Sequence, residues 1–398
     1  MLKHLLSAAA LLASSLTLSV GYAESLPSLD NTKPWSIRMI ESEMTRFPEA
    51  WQIDWDEKPQ WDYVHGLNLL AITEVYKKTK NPDYLRYVEG YYDMLVNEDG
   101  SIKTYVKEKY NIDMVNPGRV LFFLYETTGN VKYKKAADTL RAQLDTHPRT
   151  AQGGFWHKKR YPHQMWLDGL YMGAPFYAEY IVKYGDMSEL DDVFLQFELI
   201  EENLYDEDTG LPRHGWDASK QQKWADSETG LSDNHWSRAL GWYAMALVDV
   251  LAIVPTDHPK TPWLNARFQS FIDAALKYQD VSGNWYQVTD KGDLNGNYLE
   301  ASGTAMITYA IAKGVELKFL PAKYKKYAQK GFSGLVDQMI SVKPDTNVIT
   351  LENVCRVAGL GGSPYRDGSF EYYLSEPIRP NDAKGVGPFI MAAHFLDQ

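Results

Sequence analysis

The sequence has 398 residues, of which 44% are hydrophobic and 23% charged, and it carries 12 Trp, 27 Tyr and 14 Phe; this composition excludes disordered, collagenous and coiled-coil proteins. A formal charge of −11 argues through long-range repulsion against nucleic acid or an anionic membrane face as partner, while so much ring surface suits a large core or a cleft that stacks on sugars. Cys355 is the one cysteine, which excludes an internal disulfide and a zinc site built on two or more thiolates.

Lys3 and His4 precede an apolar run over residues 5–20, followed by Gly21-Tyr22-Ala23. This reads as a signal peptide over residues 1–23, with small residues before a cut near Ala23. Residues 24–398 are then a single exported domain, soluble and periplasmic, since no later stretch approaches the ~20 apolar residues of a membrane span.

From there the chain reads as helix after helix, with apolar residues at i, i+3, i+4 and i+7. The periodicity predicts helices near 36–47, 62–78, 82–97, 115–128, 131–145, 167–184, 187–203, 234–254, 264–280, 299–316, 322–340 and 385–397. Two kinds alternate. One is charged along one face, as in Val131-Lys-Tyr-Lys-Lys-Ala-Ala. The other is apolar around most of its circumference, as in Ala239-Leu-Gly-Trp-Tyr-Ala-Met-Ala-Leu-Val248, and must be buried on all sides. Gly66, Gly118, Gly169, Gly241, Gly303 and Gly387 stand near the starts of the buried kind, recurring every ~50–85 residues. Six helical hairpins packed side by side predict an all-α fold, an (α/α)6 barrel with six inner and six outer helices. An open solenoid is the competing architecture. The segment 342–381 carries little helix pattern and is expected to cover part of the barrel mouth.

Polar and aromatic residues cluster just before the buried helices, so a site is expected where those helix starts gather. Asp168 stands between Trp166-Leu167 and an apolar helix. A carboxylate in such surroundings has its charged form disfavoured, as a general acid needs; an Asp there could equally cap the helix. Asp113, ahead of Asn116-Pro117-Gly118, has the same two readings. Together the two carboxylates could be the acid and base of a glycosidase. Lys158-Lys159-Arg160 is a basic run, ordinarily a solvated patch. Arg213-His214 near Trp216, and His235-Trp-Ser-Arg238 with its Trp236, each mix a cation with a ring; an Arg there could clamp a carboxylate, and Arg238 could instead bridge a buried helix end. The histidines, His157 and His214 among them, lack metal-ligand spacing, so no metal or cofactor is expected. Glu300 could cap a helix or bond a sugar hydroxyl.

Met165-Trp-Leu-Asp-Gly-Leu-Tyr-Met-Gly-Ala-Pro-Phe176 resembles the signature of glycoside hydrolase family 105, the unsaturated rhamnogalacturonyl hydrolases. The likeness continues through Trp61-Asp-Tyr-Val-His-Gly-Leu67, Val115-Asn-Pro-Gly-Arg119, His214-Gly-Trp-Asp217, Trp236-Ser-Arg-Ala-Leu-Gly-Trp242, Tyr365-Arg-Asp-Gly-Ser-Phe-Glu-Tyr-Tyr-Leu374 and Asn381-Asp-Ala-Lys-Gly-Val-Gly-Pro-Phe389. The resemblance implies an (α/α)6 barrel; separately, a monomer or weak oligomer is expected. Its substrate would be a small acidic oligosaccharide ending in a 4,5-unsaturated uronic acid, and no cofactor is needed. It implies that Asp168 is the general acid/base, with Asp113 beside it, and that Tyr63, His157, Lys158, Trp166, His214, Trp236 and Arg238 form the pocket. Ser237 and Ala239 replace glycines usual in the family and are expected to narrow or retune that pocket. An inverting glycosidase using both aspartates, or a non-catalytic glycan-binding protein, are the competing readings.

Overall fold

The computed structural model describes residues 28–397. The signal peptide expected over residues 1–23 lies outside them. Twelve long helices occur where the periodicity places them. They are α1 (Trp35–Arg46), α2 (Tyr63–Thr79), α3 (Pro82–Leu95), α4 (Gly118–Thr128), α5 (Val131–Asp145), α6 (Leu167–Tyr184), α7 (Leu190–Asn203), α8 (Ser237–Leu251), α9 (Thr261–Leu276), α10 (Ala301–Glu316), α11 (Lys325–Met339) and, after a short α12 (Phe370–Ser375), α13 (Ala383–Leu396).

The two kinds of helix sort into two layers. In α8 every residue is buried, and in α10 only Lys313, Val315 and Glu316 escape. A helix apolar all round has to be enclosed, and α2, α4, α6, α8, α10 and α13 form the inner ring. Each packs on the next, and α13 returns to pack on α2. That contact closes the barrel and excludes the open solenoid. The amphipathic α1, α3, α5, α7, α9 and α11 lie outside. The recurring glycines are where inner helices touch: a Cβ on Gly66 would lie 2.6 Å from Pro117 ahead of α4, and one on Gly303 of α10 would lie 2.7 Å from the Ser237 backbone of α8.

A buried ionic knot ties three of the inner helices together. Asp249 of α8 accepts from Arg119 of α4 (2.9 Å), Lys313 of α10 (2.7 Å) and Tyr309 of α10 (2.7 Å).

Two details differ from the periodicity. The segment 342–381 is not helix-free, since Ser369 caps α12 by accepting from the Tyr372 amide at 3.1 Å. The helix expected from residue 115 begins at Gly118, because Ile112–Val115 forms a separate 3-10 turn ahead of Pro117.

Candidate active site

The starts of the inner helices gather at one end of the barrel. Asp168 is the second residue of α6. That helix begins after Trp166 with no side-chain cap, so the capping reading of Asp168 does not hold and its carboxylate is free to point elsewhere. A short antiparallel ribbon decides what it meets. Gln164–Trp166 pairs with Gly215–Asp217 in the register Trp166 opposite Gly215, and the Leu167 amide donates to the His214 carbonyl at 3.1 Å. This sets His214 across from Asp168, with Nε2 3.1 Å from Asp168 Oδ2. The pair is out of line for a hydrogen bond, and both atoms are buried without a partner. The other imidazole nitrogen, Nδ1, lies 2.7 Å from the Tyr373 hydroxyl of α12. His214 and Tyr373 are both fully enclosed. Burial, aided by neighbouring Tyr372 and Asp168, raises the Tyr373 pKa well above its ordinary value, so its O–H persists and needs an acceptor. Donated to Nδ1, it leaves the ring proton on Nε2, facing Asp168.

Asp113 lies in the turn before α4 and does not cap it. Its Oδ2 is 2.5 Å from Lys158 Nζ and its Oδ1 3.6 Å from His157 Nε2. Oδ1 is buried and otherwise unpartnered. Burial, then the Lys158 charge, pushes the His157 pKa well below its ordinary value, so this imidazole is neutral. Its ring stacks on Trp166 at 4.3 Å. Its Nδ1 sits 2.9 Å from where a Cβ on Gly169 would be, which is why the residue after Asp168 has no side chain.

Six of the nine residues singled out from the sequence are thus linked by direct contact: Asp168, His214, Trp166, His157, Asp113 and Lys158. Trp236 joins them through His214, its ring 4.9 Å away. It is 1% exposed and donates from Nε1 to Gln287 at 3.1 Å, so it forms the wall behind the imidazole. Tyr63, the first residue of α2, stands on the side of Asp113, Arg238 and Asp382. Burial, then the charges of Asp62 and Asp113, raise its pKa well above the ordinary value.

Arg238 is placed as a brace. Its Nε donates to Ser302 Oγ at 2.7 Å, Nη1 to the Arg356 carbonyl at 3.4 Å and Nη2 to the Cys355 carbonyl. It ties α8 to α10 and to the chain crossing the mouth, as a residue bridging a buried helix end would. Nor does Ser237 open onto a pocket: it is fully buried, and its hydroxyl donates to Glu300 Oε2 at 3.3 Å. Glu300 caps α10, accepting from the amides of Ser302 and Gly303.

Two residues that residue-by-residue reading passed over join the site, both from segment 342–381. Tyr373 is one. The other is Arg366, whose Nη2 donates to Tyr161 at 2.8 Å and whose guanidinium lies 5.9 Å from the Trp166 ring. Both fall within the stretch from Tyr365 to Leu374 that carried part of the family likeness, which was the available pointer to them.

A family model described as Glycosyl Hydrolase Family 88 matches residues 35–395. The chain belongs to this family. A solved family 105 glycoside hydrolase from C. acetobutylicum ATCC 824 is 45% identical to this hydrolase, with a TM-score of 0.87, covering 91% of this chain and 99% of that one. The unsaturated rhamnogalacturonyl hydrolase YesR of Bacillus subtilis is 29% identical over 287 residues, 70% of this chain and 76% of that protein. The unsaturated glucuronyl hydrolase of Bacillus sp. GL1, at 11% identity and a TM-score of 0.64 over 91% of this chain and 95% of that one, shares the fold. The protein is therefore a glycoside hydrolase on an (α/α)6 barrel, and its likeness to family 105 agrees with the motifs around Asp168.

Proposed function

We propose that this hydrolase removes a 4,5-unsaturated uronic acid from the non-reducing end of oligosaccharides left by polysaccharide lyases, such as rhamnogalacturonan fragments. The observation that supports it is the Asp168–His214 pair: a buried carboxylate oxygen and a ring nitrogen 3.1 Å apart, neither with a hydrogen-bond partner. Asp168 donates its proton to C4 of the enol ether, and the C4=C5 double bond is lost as positive charge develops at C5. Water, giving a proton back to the Asp168 carboxylate, adds its oxygen to C5. The resulting hemiketal opens to a ketone at C5, leaving the former ring oxygen as a hydroxyl on C1, and that C1 hemiacetal collapses to an aldehyde as the remaining sugar leaves with its oxygen and takes up the proton. One carboxylate thus serves as acid and then base, and His214 Nε2–H steadies it while it is charged. Asp113 is held by Lys158, and its free Oδ1 is suited to a substrate hydroxyl.

Lyase-generated oligosaccharides carry a conjugated ultraviolet absorbance. Its disappearance with the wild-type protein and persistence with Asp168→Asn is the expected result; cleavage of saturated oligosaccharides by the same protein would overturn the reading. Export to the periplasm is part of the same proposal, checked by whether the mature N-terminus follows Ala23.

A further inference from the structure

Beside the Asp113 end of the site is a second concavity, a cleft of about 570 Å³ lined by Glu108, Lys109, Asn111, Lys158, Lys159 and Arg160. In a chain of net charge −11, its lining carries four cations and one acid. Lys158 is turned inward onto Asp113. Among the described residues, none of the other three cations has a carboxylate within 4 Å. Lys159 Nζ meets the Glu108 carbonyl at 3.4 Å and lies over the Tyr110 ring at 5.6 Å, and Arg160 lies over the Tyr161 ring at 4.9 Å, so neither charge is neutralised. Like charges crowded without partners repel, and an arriving anion relieves them.

The walls are also built. Asn111 and Lys158 are bridged, Lys158 is bridged again to Tyr161, the Lys159 amide donates to the Tyr110 carbonyl at 3.1 Å, and the Ile112 amide to the His157 carbonyl at 3.2 Å. The two cationic strands are therefore held side by side by backbone bonds. Lys158 belongs to both places, lining the cleft and touching Asp113 2.5 Å away. This lysine therefore connects the Asp113 end of the site to the cleft.

We propose that this cleft is a distal subsite that receives a second carboxylate, on a uronic acid further along the leaving oligosaccharide. The inference rests on the function proposed above and adds to it a preference for longer acidic substrates over a disaccharide whose second sugar is neutral. Exposed charge contacts of this sort are individually weak and screened by salt.

The test compares the wild-type protein with a Lys109→Ala/Lys159→Ala/Arg160→Ala variant on two substrates: an unsaturated disaccharide with a neutral second sugar, and an unsaturated tetrasaccharide with an additional uronate. On the tetrasaccharide, KM should rise about threefold to tenfold in the variant with kcat retained. The wild-type advantage on that substrate should shrink as salt is raised. The disaccharide should be handled equally by both proteins. Equal behaviour on the tetrasaccharide, or an equal loss on both substrates, overturns the subsite. If the wild-type protein leaves the absorbance of both substrates unchanged, the functional reading has failed. Calorimetric titration with saturated tetragalacturonate then decides the cleft alone: weaker binding by the variant supports it, and equal binding overturns it.

Discussion

The Tyr373 hydroxyl offers the sharpest perturbation of the site, because Tyr373→Phe removes one oxygen and keeps the ring. The ring packs near-parallel to Trp236 at 6.1 Å, interplanar angle 24°, so the wall of the site survives. What is lost is the 2.7 Å bond to His214 Nδ1. His214 is fully buried, so water does not replace the donor, and leaving a buried acceptor unmatched costs ~1–3 kcal/mol. Two consequences can be separated. In stability, a domain of this size loses only ~1–2 °C of melting temperature per kcal/mol, so unfolding should move by a few degrees at most. In catalysis, the imidazole is no longer fixed with its proton on Nε2. If the same ~1–3 kcal/mol is withheld from the transition state, kcat falls ~5–150-fold. The assay is steady-state loss of the unsaturated absorbance across pH, beside a thermal melt. KM should change little, because Tyr373 is enclosed and does not meet substrate. A variant whose kcat and pH profile stay within twofold of wild type would refute the view that Tyr373 orients His214 toward Asp168.

Asp168→Asn should reduce kcat by ~10²–10⁴-fold with an unchanged melt, since Asp168 neither caps α6 nor sits in the ionic knot; an unstable variant would reassign it to the framework. Lys158→Met leaves the buried Asp113 carboxylate without its counter-ion. It should cost ~2–3 kcal/mol, below the figure for a fully sealed pair because Lys158 borders the cleft, and in a denaturant-based double-mutant cycle Asp113→Asn should recover much of that loss. In the knot, burial raises the Asp249 pKa but Lys313 and Arg119 outweigh it, so the net shift is downward. A depressed carboxylate contributes stability above its unfolded value near 3.9, and the contribution is lost as pH falls through the folded value. Asp249→Asn should therefore cost ~3–5 kcal/mol at neutral pH and flatten the fall of stability below about pH 4, as followed by urea unfolding.

The fold was legible because its two layers impose two different patterns. Helices enclosed on all sides, such as α8, cannot be mistaken for the one-faced α5 or α11, and the glycines at inner contacts mark the rhythm. The clustering of polar residues before the buried helices likewise located the mouth. Orientation was harder to read. A cation beside a tryptophan looks the same whether it faces substrate or protein, and only the position of the 355–356 segment shows Arg238 turned onto its carbonyls. Ser237 is a similar case: its place in the motif suggested the pocket, whereas the proximity of Gly303 and Glu300 turns it into the α8–α10 contact. Tyr373 and Arg366 come from a segment whose short helix and cross-barrel packing depend on contacts more than a hundred residues away in sequence, which no local period records.

The helix caps add a constraint on how an acidic sugar can lie in this mouth. Around the ring, α10, α13 and α2 are consecutive, and each starts under its own carboxylate. Glu300 accepts from Ser302 and Gly303, Asp382 from Lys384, and Asp62 from Val64. The other three consecutive helices, α4, α6 and α8, begin at Pro117, Trp166 and Trp236 with no side-chain cap. A helix start carries roughly half a positive charge, and an anion placed there gains ~0.3–1 kcal/mol. On the capped arc that attraction is already answered by protein carboxylates, and Glu300 and Asp382 are in turn paired with Arg238, and with Arg379 and Lys384. On the uncapped arc no side chain caps the three starts, and the carboxyl group in the first turn of α6 is Asp168 itself, beside His214. Under the proposed function the uronate is drawn toward the uncapped starts of α4, α6 and α8, with its reacting carbons at Asp168. The division of caps around the barrel thus favours one arc of the mouth for an anionic group.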